Sequence, residues 1–277
     1  MPGTLYICAT PIGNLSDITV RALETLKTVD IIAAEDTRHT MKLLNAYDIK
    51  KPVTSYYEHN KTFKTEKIIS MLIEGKNVAL VSDAGTPVIS DPGDMLVRSC
   101  IENNINVVSI PGPCAAICAL TTSGIECRRF MFVGFLPAKI SEKKKELSKF
   151  TKVNVPMVIY EAPHKIKSTL AAMLEIFGER YITVHREMTK KFEEILRFNL
   201  SESVEYFNNN EPRGEFVIIV EGISEVSEKS SDFSDVSIEE QVEMYIASGM
   251  DKKSAIKKCA EERNIPKREV YAKFINN

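Results

Sequence analysis

Residues 78–93, VALVSDAGTPVISDPG, run a four-residue apolar stretch into a loop of twelve residues that holds two glycines, two prolines, two aspartates, two serines and a threonine. Val78-Ala79-Leu80-Val81 has no polar face, so it reads as a strand buried on both sides, the kind found in a parallel sheet covered by helices. A plain surface turn needs far less conformational control than the loop behind it supplies. Glycine lets a backbone approach a ligand closely, and proline holds a loop's shape before anything binds.

The same rhythm extends outward on both sides. Strands are expected at 4–9, 30–34, 52–55 and 106–110, with helices at 18–27, 62–74 and 93–103; Ser16 or Asp17 is the expected cap of the first helix. Strand–helix alternation of this kind builds a largely parallel α/β sheet. From about 125 to 223 strands are expected at 130–133, 157–160, 181–184, 194–198 and 216–220, with helices at 140–150, 164–177 and 201–207. The strands at 181–184 and 194–198 have no helix between them, which predicts antiparallel pairing and a mixed second sheet. The domain plan is therefore 1–120, 121–223, an acidic serine-rich linker at 224–237 and a helical module of helix-turn-helix type at 238–277, with Pro266 in the first turn of its last helix.

Composition narrows the function classes. The chain has 277 residues, 44% hydrophobic and 27% charged, which is ordinary for a folded globular protein. No apolar run reaches the roughly 18 residues of a membrane span and no signal peptide precedes the first strand, so a cytoplasmic protein without membrane association is expected. Six cysteines without a CxxC pair read as free buried thiols, and four scattered histidines give no metal site. A net charge of −2 leaves nucleic-acid binding to local patches. Residues 139–152 carry six lysines against two glutamates, and residues 251–277 carry eight Lys/Arg against four Asp/Glu; taken singly, each such patch reads as a solvated face.

In an open α/β sheet the ligand sits outside the carboxyl ends of the strands. There the first domain offers TPIGNL (10–15), EDTR (35–38), SDAGTP (82–87) and PGPCA (111–115). Neither GxxxxGK[ST] nor GxGxxG occurs, and Glu35, Asp36, Asp83 and Asp91 would repel a polyphosphate. Carboxylates and backbone groups suit hydroxyls, an amino group and a positive charge, all of which S-adenosylmethionine presents.

The ordered set TPIGNL (10–15), AEDTRHT (34–40), ALVSDAGTPVISDPG (79–93), SIPGPCAA (109–116), GFLPAK (134–139), YEAPHK (160–165) and RGEFVIIVEG (213–222) resembles the bacterial 16S rRNA 2′-O-ribose methyltransferase I family, of the tetrapyrrole-methylase-like class. That resemblance implies two α/β domains with S-adenosylmethionine in the cleft between them, a homodimer, and methylation of the ribose of cytidine 1402 of 16S rRNA in the decoding region of the small ribosomal subunit. It further implies that Pro11 and Gly13 shape the first cofactor loop. Asp83, Ala84, Gly85 and Thr86 would approach the methionine portion, and Ala115 the adenosine. Ala162, Gly214, Glu215 and Phe216 would close over them from the second domain.

A ribose hydroxyl needs a base, and Glu35, Asp36, His164 and Glu187 are candidates with none singled out. Arg38 and Arg186 are placed to hold flanking phosphates. The rival roles are a helix cap for Glu35 or Asp36, capping or packing for His164, and an ion pair between Arg186 and Glu187; His59 and His185 read as structural. In this setting Lys139, Lys143, Lys144, Lys145, Lys267 and Arg268 become rRNA contacts. Tyr56 and Tyr57 read equally as base-stacking residues or as core and rim. Two rival functions remain: a methyltransferase acting on a tetrapyrrole or other small molecule, and a non-catalytic nucleic-acid-binding regulator.

Overall fold

The computed structural model describes residues 1–223, 236–263 and 265–275. Two compact units, Met1–Gly222 and Ile223–Asn277, make up the chain. Within the first, five strands alternate with helices: β1 (Thr4–Cys8), α1 (Val20–Thr28), β2 (Ile31–Ala34), α2 (Thr37–Ala46), β3 (Val53–Ser55), α3 (Lys61–Ile73), β4 (Val78–Val81), α4 (Asp94–Glu102), β5 (Asn106–Ile110) and α5 (Ala115–Ser123). The strands form one parallel sheet in the order β3-β2-β4-β1-β5. Every residue of β4 is buried, because separate apolar clusters cover the two faces. Strand order reverses around β1 and β4, so their carboxyl ends lie side by side and open the crevice where such sheets bind ligands.

The α1 cap differs from expectation. Leu15–Asp17 forms a 3₁₀ turn in which Asn14 Oδ1 accepts from Ser16 N, and Thr19 is the cap, its hydroxyl accepting from Ala22 N at 3.1 Å. Tyr56 belongs to the core: it is 1% exposed, and its hydroxyl shares a 3.0 Å hydrogen bond with Thr65 Oγ1. Tyr57, the next residue, is exposed beside His59.

The second sheet holds β6 (Met131–Phe135), β7 (Met157–Glu161), β8 (Tyr181–Arg186), β9 (Glu194–Asn199) and β10 (Phe216–Val220), with α6 (Ile140–Ser148), α7 (Ile166–Phe177) and α8 (Leu200–Asn209). Its order is β6-β7-β10-β8-β9; β6 and β7 run parallel and the other pairings, β8 with β9 included, are antiparallel. His185, inside this sheet, is fully buried between Thr183 Oγ1 and Thr122 Oγ1. Burial, followed by the nearby Arg197, pushes its imidazole down to about 4, so it is neutral at pH 7 and structural.

In the second unit α9 (Ile238–Ala247), α10 (Lys252–Glu262) and α11 (Lys267–Ile275) close around Ile238, Val242, Ala255, Ile256, Cys259 and Val270. A capping box at Ser237 and Glu240 starts α9. Pro266 directly precedes α11, and Lys267 and Arg268 open that helix in exposed positions. Most of the acidic linker, residues 224–235, lies outside the described residues. Among the described residues no helix is long and apolar enough to cross a membrane.

The lysine-rich α6 departs most from its sequence reading. Lys143 sits on the buried face, 0% exposed, one turn from the buried Leu147. Its ammonium donates to Thr169 Oγ1 at 2.5 Å and lies 3.6 Å from Glu161 Oε2, so it contacts no RNA. Burial pushes the Lys143 pKa down and the Glu161 carboxylate partly restores it. Lys139 and Lys144 pair with Glu142 and Glu175, while Lys145 is exposed. Removing one partner of a buried pair strands the other charge. Lys143→Met therefore lowers stability by about 3–5 kcal/mol in urea unfolding, while Lys145→Ala leaves the midpoint within error.

Candidate active site

Four loops at the carboxyl ends of the first sheet are fastened to one another before any ligand arrives. Thr10 and Gly85 form an antiparallel bridge, with N–H···O distances of 2.9 and 3.1 Å. Thr86 Oγ1 donates to the Pro113 carbonyl at 3.3 Å, and Asp36 N donates to Asp83 Oδ1 at 3.1 Å. Four of the five strands thus supply one loop each, and each loop is held by a neighbour.

These loops form one wall of a cleft of about 620 Å³ and the second sheet forms the other. Every one of the seven motif segments contributes to the lining: Ile12, Glu35, residues 83–86 with 89–91, Cys114 with Ala115, Phe135, residues 160–164, and residues 215–217. Most of the expected cofactor residues lie there, namely Asp83, Ala84, Gly85, Thr86, Ala115, Ala162, Glu215 and Phe216. Pro11, Gly13 and Gly214 stand behind the lining rather than in it.

Gly13 and Gly214 serve a turn at residues 187–190. Glu187 and Thr189 both hold positive φ, +50° and +66°, an uncommon conformation for residues with side chains. A Cβ on Gly214 would lie 2.3 Å from Glu187 Cγ, and one on Gly13 would lie 2.6 Å from Lys190 Cγ. Lys190 brackets the turn by bonding Glu187 Oε1 and Glu215 Oε2, each at 2.9 Å. The turn delivers Met188 into the cleft. Arg186 and Glu187 do not pair directly: Arg186 binds Glu194 and the Arg213 carbonyl, while Glu187 takes Lys190 and the Glu215 amide.

The candidate bases separate clearly. Asp36 caps α2, accepting from Arg38 N at 2.8 Å and gripping the Arg38 guanidinium through both carboxylate oxygens. Those hydrogen bonds hold its pKa well below the ordinary carboxylate range. Glu187 is engaged by Lys190, and Arg38 remains 88% exposed. Glu35 and His164 line the cleft, and neither side chain makes a hydrogen bond among the described residues. Burial, then the nearby Asp91, Asp83 and Asp36, raise the Glu35 pKa. Asp91, absent from the sequence-derived site, is raised by burial and then by Asp83, with the Ser82 hydroxyl opposing.

Three carboxylates converging on small residues and backbone groups fit a cationic ligand carrying hydroxyls, and S-adenosylmethionine meets that description. Cys114, Tyr160, Ile89, Phe135 and Val217 also line the cleft without having been singled out, although all sit inside the quoted motifs.

An acid whose folded pKa lies above its unfolded value adds no penalty at pH below both and its full penalty at pH above both. The ligand-free protein accordingly loses stability as pH rises from the ordinary carboxylate range through the raised values of Glu35 and Asp91. Asp91→Asn raises its Tm at pH 7 and flattens the Tm–pH curve on that side; calorimetric scans from pH 4 to 8 read both effects.

A family model of the tetrapyrrole (corrin/porphyrin) methylases matches residues 4–203. Ribosomal RNA small subunit methyltransferase I of Bacillus subtilis (strain 168) is 51% identical over 271 residues, 97% of this chain and 93% of that protein. The protein of the same name from Thermotoga maritima is 47% identical over 220 residues, 79% of this chain and 99% of its own length. Among solved structures, the methyltransferase CobJ superposes with a TM-score of 0.60 at 16% identity, covering 79% of this chain and 94% of that one. Uroporphyrin-III C-methyltransferase from Thermus thermophilus, complexed with S-adenyl homocysteine, gives 0.58 at 16% identity over 79% and 97%. At such identities the likeness to the solved structures is one of fold. With half its residues shared along nearly its whole length, and all seven motif segments in the wall of one cleft, this chain belongs to the ribosomal RNA small subunit methyltransferase I family of the tetrapyrrole methylases.

Proposed function

We propose that this protein transfers the methyl group of S-adenosylmethionine to the ribose 2′-hydroxyl of cytidine 1402 in 16S rRNA, acting on the small ribosomal subunit. The convergence of all seven motif segments on one acid-lined cleft carries this reading, and relatives named as small-subunit rRNA methyltransferases support it. A homodimer working in the cytoplasm completes the reading, as the family resemblance implies.

Bound in the cleft, the donor supplies an electrophilic methyl group on a positively charged sulfur. Asp83 and Asp91 would hold its cationic end, and the small residues Ala84, Gly85, Ala115 and Ala162 would leave room for its close approach. Methyl transfer is an in-line displacement, so holding the reacting oxygen in line supplies much of the rate. Glu35 would take the hydroxyl proton as the O–C bond forms and the methyl–sulfur bond breaks, the donor leaving as the neutral thioether S-adenosylhomocysteine. It lines the cleft without a competing hydrogen bond among the described residues, and its raised pKa brings it nearer the operating pH, where a general base is most effective. Asp36 anchors the α2 start and orients Arg38 for a flanking phosphate. Exposed Lys139, Lys145, Lys267 and Arg268 add phosphate contacts that position the rRNA without reading bases.

The experiment is tritium transfer from labelled S-adenosylmethionine to small subunits lacking the modification, followed by mapping of the labelled nucleotide. Label on the ribose of cytidine 1402 is expected. No label in RNA, with cofactor still bound in calorimetry, would sink the assignment and leave a small-molecule methyltransferase in its place. Glu35→Gln lowers kcat by about 10²–10⁴-fold and still binds cofactor. In the wild type, kcat/KM falls as pH drops through the raised Glu35 pKa. Asp36→Ala instead lowers Tm through the missing cap and keeps most of its turnover.

A further inference from the structure

Two large apolar side chains stand largely in water inside the cleft: Ile89, 62% exposed, and Phe135, 59% exposed. Each reaches that position through an irregularity of the backbone. On the edge strand β6, Met131 and Val133 point to the core formed with Met157 and Ile159, and Phe132 points to the opposite face with Val158 and Tyr160. Unbroken alternation would send residue 135 into the core with 131 and 133. The β6–β7 register shifts between Phe132 and Gly134, however, and Gly134 takes φ +72°. Phe135 therefore lies opposite Tyr160 and turns toward the cleft. Bulges beside active sites commonly re-aim a side chain in this way.

Across the cleft, Val88 holds φ +79°, a rare conformation for a β-branched residue. Its own side chain packs inward toward the core of the first sheet and the next residue, Ile89, faces the cleft. The two irregular segments adjoin, since the position a Cβ would take on Gly134 is 3.8 Å from Ser90 Oγ.

Support behind Phe135 is rigid. Its ring meets Tyr160 edge-on at 5.5 Å, Phe132 meets Tyr160 from the other side at 5.2 Å, and the Tyr160 hydroxyl accepts from Ala116 N at 3.1 Å. Deeper in the cleft the apolar lining is nearly inaccessible, with Phe216 at 2% and Val217 at 7% exposed, whereas Ile89 and Phe135 form the rim. The nearby Glu35, Asp83 and Asp91 repel phosphate, so a nucleotide enters with its uncharged ring and sugar while its phosphates remain outside.

We propose that Ile89 and Phe135 form an apolar clamp that receives the unstacked base of the nucleotide whose ribose is methylated. This rests on the rRNA reading above. An aromatic platform of this kind is how proteins hold single-stranded bases, and it tolerates any base because every base has a flat face.

The test measures methyl transfer to unmodified small subunits by wild type, Phe135→Ala, Phe135→Trp and Ile89→Ala, with cofactor affinity measured by calorimetry for each. Phe135→Ala is expected to lower kcat/KM for subunits roughly tenfold to a hundredfold. Phe135→Trp retains most of the wild-type value, Ile89→Ala shows a smaller loss, and cofactor Kd stays unchanged throughout. An unchanged kcat/KM in Phe135→Ala would overturn the clamp. So would a loss of cofactor affinity in step with turnover, which would place Phe135 over the donor. Wild-type protein that labels no rRNA overturns the rRNA reading and the clamp with it, an outcome separate from wild-type labelling with an indifferent Phe135→Ala.

Discussion

The cleft exists because α5 leaves one sheet and packs on the other. The helix follows β5 of the parallel sheet, yet Ala116, Ala119 and Leu120 lie against Val158, Val217 and Ile219 of the mixed sheet. Small residues on that face let helix and strands approach closely, and the Tyr160 hydroxyl takes the otherwise unpaired amide of Ala116 in the first turn. Connected to one sheet and packed on the other, α5 fixes the separation of the two walls. The loop after β5, the YEAPHK segment and the residues around Phe216 then face a common space, and only in that space do the candidate residues act together.

That space is expensive to keep. Burial and neighbouring carboxylates raise the pKa of Glu35 and Asp91, the side chains of Ile89 and Phe135 remain in water, and Val88, Glu187 and Thr189 hold positive φ. These conflicts gather around the cleft. Such local conflicts are expected where function, rather than stability, selected the residue.

Much of this was legible in the sequence because it rests on local patterns. Continuous apolar runs marked the parallel strands, the missing helix between 184 and 194 marked the antiparallel pair, and Gly/Pro-rich strand ends marked the loops that line the cleft. The misreadings have physical reasons. Lys143 was grouped with its neighbours by charge, although it lies four positions before Leu147, a helical spacing that puts both on the inner stripe. Thr19 was passed over as a cap because a 3₁₀ turn occupies the residues just before it. Phe135 was unreadable for a different reason: its direction depends on a register shift against β7, which period-2 reasoning along one strand cannot reveal. Asp91 gained its importance from Glu35, 56 positions away, through a proximity that only the folded loops create.

The turn at 187–190 carries a consequence for how sequences of this family drift. Gly13 leaves room for the side chains of Thr189 and Lys190 and Gly214 for that of Glu187, and Lys190 also ties Glu187 and Glu215 together. A residue larger than glycine at either place therefore meets the turn's side chains, and at Gly214 the φ of +83° disfavours any side chain even if its neighbour were shortened. Positions 13 and 214 should consequently stay glycine wherever the turn is kept, although neither lines the cleft.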